Sequence, residues 1–345
     1  MGTVVRVGLI GCGNIGAHAH APAYAHIPEA SLVAVCDINI ARAQEVARAT
    51  GATPYLDYHE LLAREDIDAV DICLPTYLHA RVSIEALRHG KHVLCEKPMA
   101  VTLAEADAMI AAAQEAGRVL MIGHVRRFDP RYVAAKQALE AGEIGQLVHI
   151  RRGERQYLPF SGDAWYWHPH AGGGIFLDIG VHVTDLFRWY FMAEPETVFA
   201  IGRQIRPEAR EANSFDHAVF MVTFPDGRIG QAEISWAYPP NFGRSQYALL
   251  EFIGTQGRLT YSDREAAPMI SYDATEGLHM PSYFRFMSAL EDAFVAEIRH
   301  FIAVVRGEAA LAITPEDARA ALALAIAAEA SAREGRPISV KEVVP

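Results

Sequence analysis

Six residues near the start narrow the folds open to this chain more than any other feature: Gly11-Cys12-Gly13-Asn14-Ile15-Gly16. They follow at once on residues 4–10, an apolar and β-branched run that reads as a short buried strand. A helical stretch comes next, with Pro22 placed to kink or restart it. Glycine at those three places permits a tight turn, close approach of backbone to a phosphate, and close packing of helix on strand. The helix start offers free N–H groups and a positive dipole end to an anion. Gly-x-Gly-x-x-Gly alone is weak. Between a strand and a helix at the head of a chain, it specifies a dinucleotide-binding βα unit. Gly11, Cys12, Gly13, Asn14, Ile15 and Gly16 are the first expected cofactor contacts.

Asp37 ends the second apolar run, Leu32-Val33-Ala34-Val35-Cys36. It stands about 20 residues past the glycine loop, where an acid holds the adenosine ribose hydroxyls. The alternative for Asp37 is an N-cap on the next helix, residues 41–50. Ile38 follows it rather than arginine, and a carboxylate repels a 2′-phosphate, so NAD is expected over NADP. Arg42 lies near enough to temper that preference.

Strand and helix signals keep alternating up to residue 124. Helices are expected at 58–64, 78–89 and 102–116, strands at 69–74, 92–95 and 119–124. Repeated βα units make a doubly wound parallel sheet, an α/β Rossmann domain over residues 1–124, with ligands at the C-terminal strand ends. Those ends add Leu74, Pro75, Thr76, His79, Glu96 and Lys97 to the expected cofactor set.

The pattern then changes. After a helix at 131–141 come strand candidates at 146–155, 196–205, 216–224, 228–236, 246–253 and 257–262. Pro225-Asp226-Gly227 joins two of them as a hairpin. Helices interrupt or follow at 174–191, 286–306 and 315–333, the last with Thr314 as N-cap and Pro315 at its first position. Residues 125–345 are expected to form an α+β domain with a large, mostly antiparallel open sheet. The final helix and tail are candidates to pack back on the first domain. The linker candidate is Arg126–Pro130.

A net charge of −11 disfavours nucleic acid and anionic membrane as partners. No apolar run is long enough for a bilayer span, and the first ten residues lack the apolar core of a secretion signal. Four cysteines, at 12, 36, 73 and 95, form no CxxC pair. They read as reduced thiols, and the chain as cytoplasmic.

The chemistry centres on Gly172-Gly173-Gly174-Ile175-Phe176-Leu177-Asp178-Ile179-Gly180-Val181-His182-Val183-Thr184-Asp185. Asp178 and His182 are four apart and share a helix face, with Asp185 three further on. A carboxylate beside an imidazole handles protons; the plain alternative is a buried histidine satisfied by a helical neighbour. Lys97 sits in a Glu96-Lys97-Pro98 turn at a strand end; its alternative is a solvated surface lysine. A hydride leaves an alcohol carbon only if the hydroxyl proton leaves too. That asks for a base and for a positive group beside the developing alkoxide. His182 suits the first role and Lys97 the second. Asp178 would orient the imidazole or bind a neighbouring hydroxyl.

The glycine loop, the Glu-Lys-Pro turn and the GGGxxxDxGxHxxD helix together resemble the glucose–fructose oxidoreductase / inositol dehydrogenase (Gfo/Idh/MocA) family, from Val4 to about Glu334. The resemblance implies Lys97, Asp178 and His182 as the catalytic set, and a cis Lys97–Pro98 peptide. It implies a cyclic polyol or pyranose as substrate, myo-inositol first, with cofactor binding first. Contact through the open sheet of a homodimer or homotetramer is implied as well. His182, where one branch has tyrosine, looks like the inositol and sugar dehydrogenase branch. The stretch Gly123-His124-Val125-Arg126-Arg127 is similar to an inositol dehydrogenase segment, with His124 in place of phenylalanine; Arg127 would then touch the polyol.

Aromatics before the glycines suggest a sugar wall against C–H faces, or ordinary packing. Tyr157, Trp165 and His168 are the candidates, with Tyr238, Phe242 and Tyr283 as weaker ones. The rival readings are three. Zinc on His168, His170, Asp178 and His182, or on His18, His20 and His26, matches no standard ligand spacing, and no metal is expected. A redox glycosidase would oxidise C3 of a glycoside, eliminate, and return the hydride. A cofactor- or sugar-sensing binding protein would have no need of all three catalytic residues.

Overall fold

The computed structural model describes residues 4–162, 164–238, 247–262, 269–273, 277–279 and 292–344. The chain divides into two units, Met1–Asp129 with Glu291–Arg319, and Pro130–Leu290 with Ala320–Pro345.

The first unit is built on six parallel strands: β1 (Val5–Ile10), β2 (Ala30–Cys36), β3 (Thr53–Tyr55), β4 (Ala69–Ile72), β5 (His92–Glu96) and β6 (Leu120–Gly123), in the order β3-β2-β1-β4-β5-β6. Ile10 pairs with Cys36 and with Ile72, Ile72 with Cys95, and Cys95 with Ile122. The strands therefore end level. Gly11, Asp37, Leu74, Lys97 and His124 all leave the sheet along one edge. Crossover helices run over Ile40–Thr50, Tyr58–Leu62, His79–Arg88 and Leu103–Ala116, close to the expected spans. Local chemistry sets their ends. Asn39 and Asp57 side chains accept the amides of Ala41 and His59, and Thr102 with Glu105 forms a capping box.

The helix expected after the glycine loop is continuous in backbone conformation but changes its hydrogen-bond register. A π turn at Gly16–His20 runs into an α turn at Ala21–Ala23 and a 3₁₀ turn at Tyr24–His26. Pro22 stands inside this run just past the π turn, at the change of register.

The boundary at 124/125 also needs correction. The first unit runs on to Asp129, and helix Ala293–Val305 returns to it. Val295, Ile298, Phe301 and Ile302 on that helix share a core with Val7, Leu9, Leu94 and Met121. Each large apolar side chain so buried contributes about 1.5–3 kcal/mol. The helix had been expected from residue 286; residues up to 291 lie outside those described. The last helix, Pro315–Glu334, starts in the first unit and ends in the second. Its Thr314 cap is present, with Thr314 Oγ1 accepting the Asp317 amide at 3.1 Å. The tail after it belongs to the second unit, where Ile338 pairs with Val198.

The second unit holds a nine-stranded sheet among the described residues. Its strands are β7 (Leu147–Arg155), β8 (Thr197–Arg203), β9 (His217–Thr223), β10 (Ile229–Ser235), β11 (Tyr247–Gly254), β12 (Gly257–Ser262), β13 (Met269–Asp273), β14 (Gly277–His279) and β15 (Ile338–Ser339). Their order is β14-β13-β12-β11-β7-β10-β9-β8-β15. Only the β7–β10 pair is parallel, so the sheet is mostly antiparallel, as expected. The hairpin at Pro225-Asp226-Gly227 joins β9 to β10, with Phe224 O accepting the Gly227 amide at 2.9 Å. Strict alternation on β8–β10 buries Val198, Ala200, Phe220, Val222, Ala232 and Ile234 on one face. Helix Val181–Phe191 contributes Val183, Leu186, Phe187, Tyr190 and Phe191 to the same core.

Candidate active site

Two half-sites lie on the two units, each built by its own local chemistry. In the first, the glycine loop begins at Gly11, whose φ is +103°. A side chain there would also meet the Cys73 carbonyl at 2.3 Å, so only glycine serves. Above Gly13 a Cβ would meet nothing within 4 Å. That open space over backbone N–H groups fits a pyrophosphate, and the residues present fit a dinucleotide. Asn14 and Ile15 are exposed beside it, and Gly16 is buried.

Asp37 stands at the end of β2. Its Oδ2 accepts the Cys12 amide at 2.9 Å and its Oδ1 the Asn39 amide at 2.8 Å. A carboxylate has about four acceptor sites, so both ribose hydroxyls can still be received. Asn39, not Asp37, caps the helix that follows. Ile38 is 91% exposed, an apolar face open beside the ribose position. Cys12 and Cys36 are buried, and burial with the Asp37 charge pushes the Cys12 thiol up to about 12.

Leu74-Pro75-Thr76 leaves β4 at the same edge. Thr76 is buried, and its hydroxyl finds no partner among the described residues. His79 is buried with Nδ1 at 2.7 Å from the Pro98 carbonyl and Nε2 at 2.7 Å from that of Leu74. Its nitrogens brace two strand-end turns. Burial holds this imidazole below its ordinary range, against the pull of both carbonyls.

Glu96-Lys97-Pro98 ends β5, and the Lys97–Pro98 peptide is cis. The Glu96 carboxylate is fixed from two sides. Oε2 accepts the Lys97 amide at 3.0 Å, and Oε1 lies 3.0 Å from His20 Nε2. Sequence reasoning met His20 only in a candidate zinc group and missed Tyr24, Asp71 and Glu297 altogether. The available signals were carboxylates inside apolar runs, Asp71 in β4 and Glu297 in helix Ala293–Val305. Among the described residues the ligand atoms that come within 4.8 Å of one another are those of His20, Asp71 and Cys73, and of His20, Glu96 and Glu297. Neither zinc set of the rival reading is among them, and both His20 nitrogens already face carboxylates. Arg127 is buried, with Nη1 at 3.4 Å from the Ala312 carbonyl within its own unit.

In the second half-site, Gly173 explains the glycine run. A side chain there would meet the carbonyls of Trp165 and Tyr166 at 2.3 and 2.5 Å. Gly174 N donates to Tyr166 O at 2.7 Å, which ties the aromatic loop to the start of the helix. The helix opens with a π turn, Phe176–Gly180, before Val181–Phe191 becomes α-helical. Such turns insert one residue and re-aim side chains, and they recur at functional sites. Asp178, half-buried, sits on the π turn; His182, buried, sits on the first α turn. Asp185 is buried one turn on, and Thr184 Oγ1 donates to the Ala321 carbonyl at 2.8 Å.

The aromatic loop divides. Trp167 is core, edge-on to Trp236. Trp165 stacks on Tyr166 at 4.0 Å, and Tyr166 on Phe160 at 4.6 Å. Trp165 is half-buried, as is His168, whose ring lies 5.5 Å from His170. The Arg206 guanidinium covers the Tyr157 ring at 4.7 Å. Tyr238 is half-buried; Asp163, Phe242 and Tyr283 lie outside the described residues.

A level-ended parallel sheet with this glycine loop, its acid and a lysine turn defines an oxidoreductase with an NAD-binding Rossmann fold. The chain belongs to the GFO/IDH/MocA oxidoreductase family: the NAD-binding Rossmann family model matches residues 5–124, and the family's C-terminal domain matches residues 132–260. It is 32% identical over 346 residues to myo-inositol 2-dehydrogenase of Thermotoga maritima, covering 99% of this chain and all of the relative. It is 31% identical to scyllo-inositol 2-dehydrogenase (NAD(+)) of Bacillus subtilis, over 97% of this chain and 96% of that one. Levoglucosan dehydrogenase in complex with NADH and levoglucosan superposes with a TM-score of 0.86 at 25% identity, over 97% of this chain and 99% of that one.

Proposed function

We propose that this protein is an NAD-dependent dehydrogenase of a cyclic polyol or pyranose, with myo-inositol the first candidate, and that Lys97, Asp178 and His182 act on one bound substrate. The motif set that carries family membership supports this, together with full-length likeness to two inositol dehydrogenases. When bound, the dinucleotide supplies the hydride acceptor. His182 takes the hydroxyl proton while the Lys97 ammonium stabilises the developing negative oxygen. Asp178 holds the imidazole or an adjacent hydroxyl. Asp37 favours NAD over NADP, because its carboxylate suits free ribose hydroxyls and repels a 2′-phosphate. Arg127, Tyr157, Trp165 and His168 are proposed to border the substrate.

Inositols, aldoses, anhydrosugars and glycosides, each assayed with NAD and NADP by reduced-nicotinamide absorbance, test the reading. The expected result is NAD reduction by a cyclic polyol or pyranose, with NADP slower. A glycoside cleaved without net reduced nicotinamide identifies the redox glycosidase instead. Tight dinucleotide binding with no turnover across the panel identifies a sensor.

The outer face of the second unit's sheet supports a homo-oligomer. Ile201 pairs with Val219 and Phe199 with Met221, and Ile229 lies two residues along the same face. Ile201, Val219, Met221 and Ile229 are 38–49% exposed. Four such residues on one flat face are an interaction surface. A dimer or tetramer is expected by analytical ultracentrifugation, and Val219→Lys with Met221→Lys is expected to shift it to monomer. A monomeric wild type at micromolar concentration would refute this part.

Sequence and structure say less about the cell. No helix among the described residues is long and apolar enough to cross a membrane.

A further inference from the structure

A cluster of ionisable groups is sealed beneath the Lys97 turn, inside the first unit. His20, Asp71 and Glu297 are each 0% exposed, and Glu96 is 8% exposed. His20 Nδ1 lies 2.9 and 3.0 Å from the two Asp71 oxygens, and Nε2 lies 3.0 Å from Glu96 Oε1. Tyr24 donates its hydroxyl to Asp71 Oδ2 at 2.9 Å, and the Cys73 thiol lies 3.6 Å from Asp71 Oδ1. The Phe294 ring stands 5.3 Å from the His20 ring and helps exclude water. Glu297, on the same helix as Phe294, brings a carboxylate oxygen within 4.8 Å of the others, and neither of its oxygens has a hydrogen-bond partner among the described residues.

Donor count and neighbouring charge together point to the protonation. Neutral imidazole has one N–H, yet both His20 nitrogens face carboxylate oxygens. A bare nitrogen against a carboxylate would set lone pair against lone pair in a dry site. Either both nitrogens carry protons or a facing carboxyl does; the ionised groups on both sides favour the imidazolium, unlike His79, whose nitrogens face uncharged carbonyls. One imidazolium and two carboxylates already sum to one negative charge. A third ionised carboxylate with no donor would cost several kcal/mol. Glu297 is accordingly the neutral acid.

We propose that His20 is a positioning residue of the Glu-Lys-Pro turn: held by Asp71 and Tyr24, its imidazolium fixes the Glu96 carboxylate that grips the Lys97 amide, while Glu297 carries the proton that keeps the sealed cluster from accumulating charge. This rests on the reading of Lys97 as part of the catalytic set. The chain of contacts runs Tyr24–Asp71–His20–Glu96–Lys97; the first three links are hydrogen bonds between buried groups and the last is part-buried. An isolated carboxylate on a strand end would be free to turn to water. This one is locked from behind, so the turn that carries Lys97 keeps one backbone conformation.

The electrostatics agree. Burial alone would strip the His20 proton, but the charge of Asp71 and the further interactions with Asp71 and Cys73 together outweigh it and hold the imidazole well above its ordinary range. Burial, then the Glu96 charge, pushes the Glu297 acid well above the usual carboxylate range. Burial also opposes ionisation of Glu96; the His20 hydrogen bond and the charges of His20 and Lys97 overcome it. The titratable and charged groups facing His20 and Glu297 are Tyr24, Asp71, Cys73 and Glu96, while His79 and Lys97 act on Glu96.

Three measurements test the proposal. First, ¹⁵N spectra of histidine-labelled apoprotein at pH 8 should show one imidazole with both nitrogens protonated, absent from His20→Gln. A neutral His20 at pH 8 overturns the proposal without any activity assay. Second, His20→Leu should lower kcat about 100-fold, the cost of misplacing a reacting group by about 1 Å, with the KM for the dinucleotide within about threefold. His20→Gln, which restores a donor toward Glu96, should recover at least tenfold of that loss. A folded His20→Leu variant with kcat within threefold of wild type overturns the proposal. Third, Glu297→Gln removes a proton-binding group. An acid whose folded pKa is raised binds a proton that the unfolded chain has released, so it lowers stability as pH rises above the ordinary carboxylate range. Glu297→Gln should therefore gain Tm relative to wild type between pH 5 and pH 8. A pH-independent difference means Glu297 is ionised, and overturns its part. If Lys97→Ala itself keeps turnover, the catalytic reading fails while the His20 spectra still stand.

Discussion

Lys97→Ala is expected to lose at least 10³-fold in kcat, about 4 kcal/mol of transition-state stabilisation, while the NAD dissociation constant stays within about threefold. Removal of a charge that acts only as the substrate oxygen becomes negative falls on kcat rather than on cofactor affinity. The backbone around it should survive. Glu96 accepts the Lys97 amide, a contact that the substitution keeps, and Pro98 keeps its carbonyl contact with His79. His182→Ala is expected to lose 10²–10⁴-fold, the usual contribution of general base catalysis. The two losses should not add, since both remove parts of one proton-transfer event. NAD titration by fluorescence and steady-state kinetics on the preferred substrate check this. Near-wild-type turnover in either variant would refute the assignment of roles.

Asp37→Ser is expected to shift the NADP-to-NAD ratio of kcat/KM by about 100-fold or more toward NADP. A charge-assisted hydrogen bond to a hydroxyl contributes about 1.5–3 kcal/mol, and removing the carboxylate also removes its repulsion of a 2′-phosphate. Both effects move the ratio in the same direction. Asp37 has a second duty, because Cys12 and Asn39 amides donate to it. Part of the loss with NAD will therefore come from a loosened glycine loop. Asp37→Asn separates the contributions. It keeps acceptor capacity toward one amide but cancels the charge, so NADP should gain while loop order suffers less than in the serine variant. Unchanged discrimination in both variants would show that the carboxylate serves the loop alone.

Much of the first half-site was legible because its chemistry is local. A glycine loop between strand and helix, an acid at the next strand end and a lysine turn each have a short-range reason to exist. The crossover helices were legible for the same reason, through caps such as Asn39 and Thr102. What escaped depends on contacts distant in sequence. Nothing near His79 shows that its nitrogens meet the carbonyls of Leu74 and Pro98. Nothing near His20 shows that Asp71 and Glu96, 51 and 76 residues away, will close on it. The π turns at Gly16–His20 and Phe176–Gly180 escaped as well, because a 3.6-residue period hides a single inserted residue. Gly173 was read as a helix opener. Its close approach to two carbonyls of the aromatic loop is visible only in three dimensions. The short edge strands β3, β14 and β15 carry too few residues to show alternation.

The return of helix Ala293–Val305 to the first unit has a consequence for synthesis. As the nascent chain leaves the ribosome, the first 129 residues emerge well before the apolar face that completes their core. Val295, Ile298, Phe301 and Ile302 are still untranslated, and so is Glu297. Until they arrive, the dinucleotide lobe waits with a hydrophobic wound and an unsealed charge cluster, exposed to aggregation or to chaperone capture. A gene cut at codon 129 would make that interim state permanent.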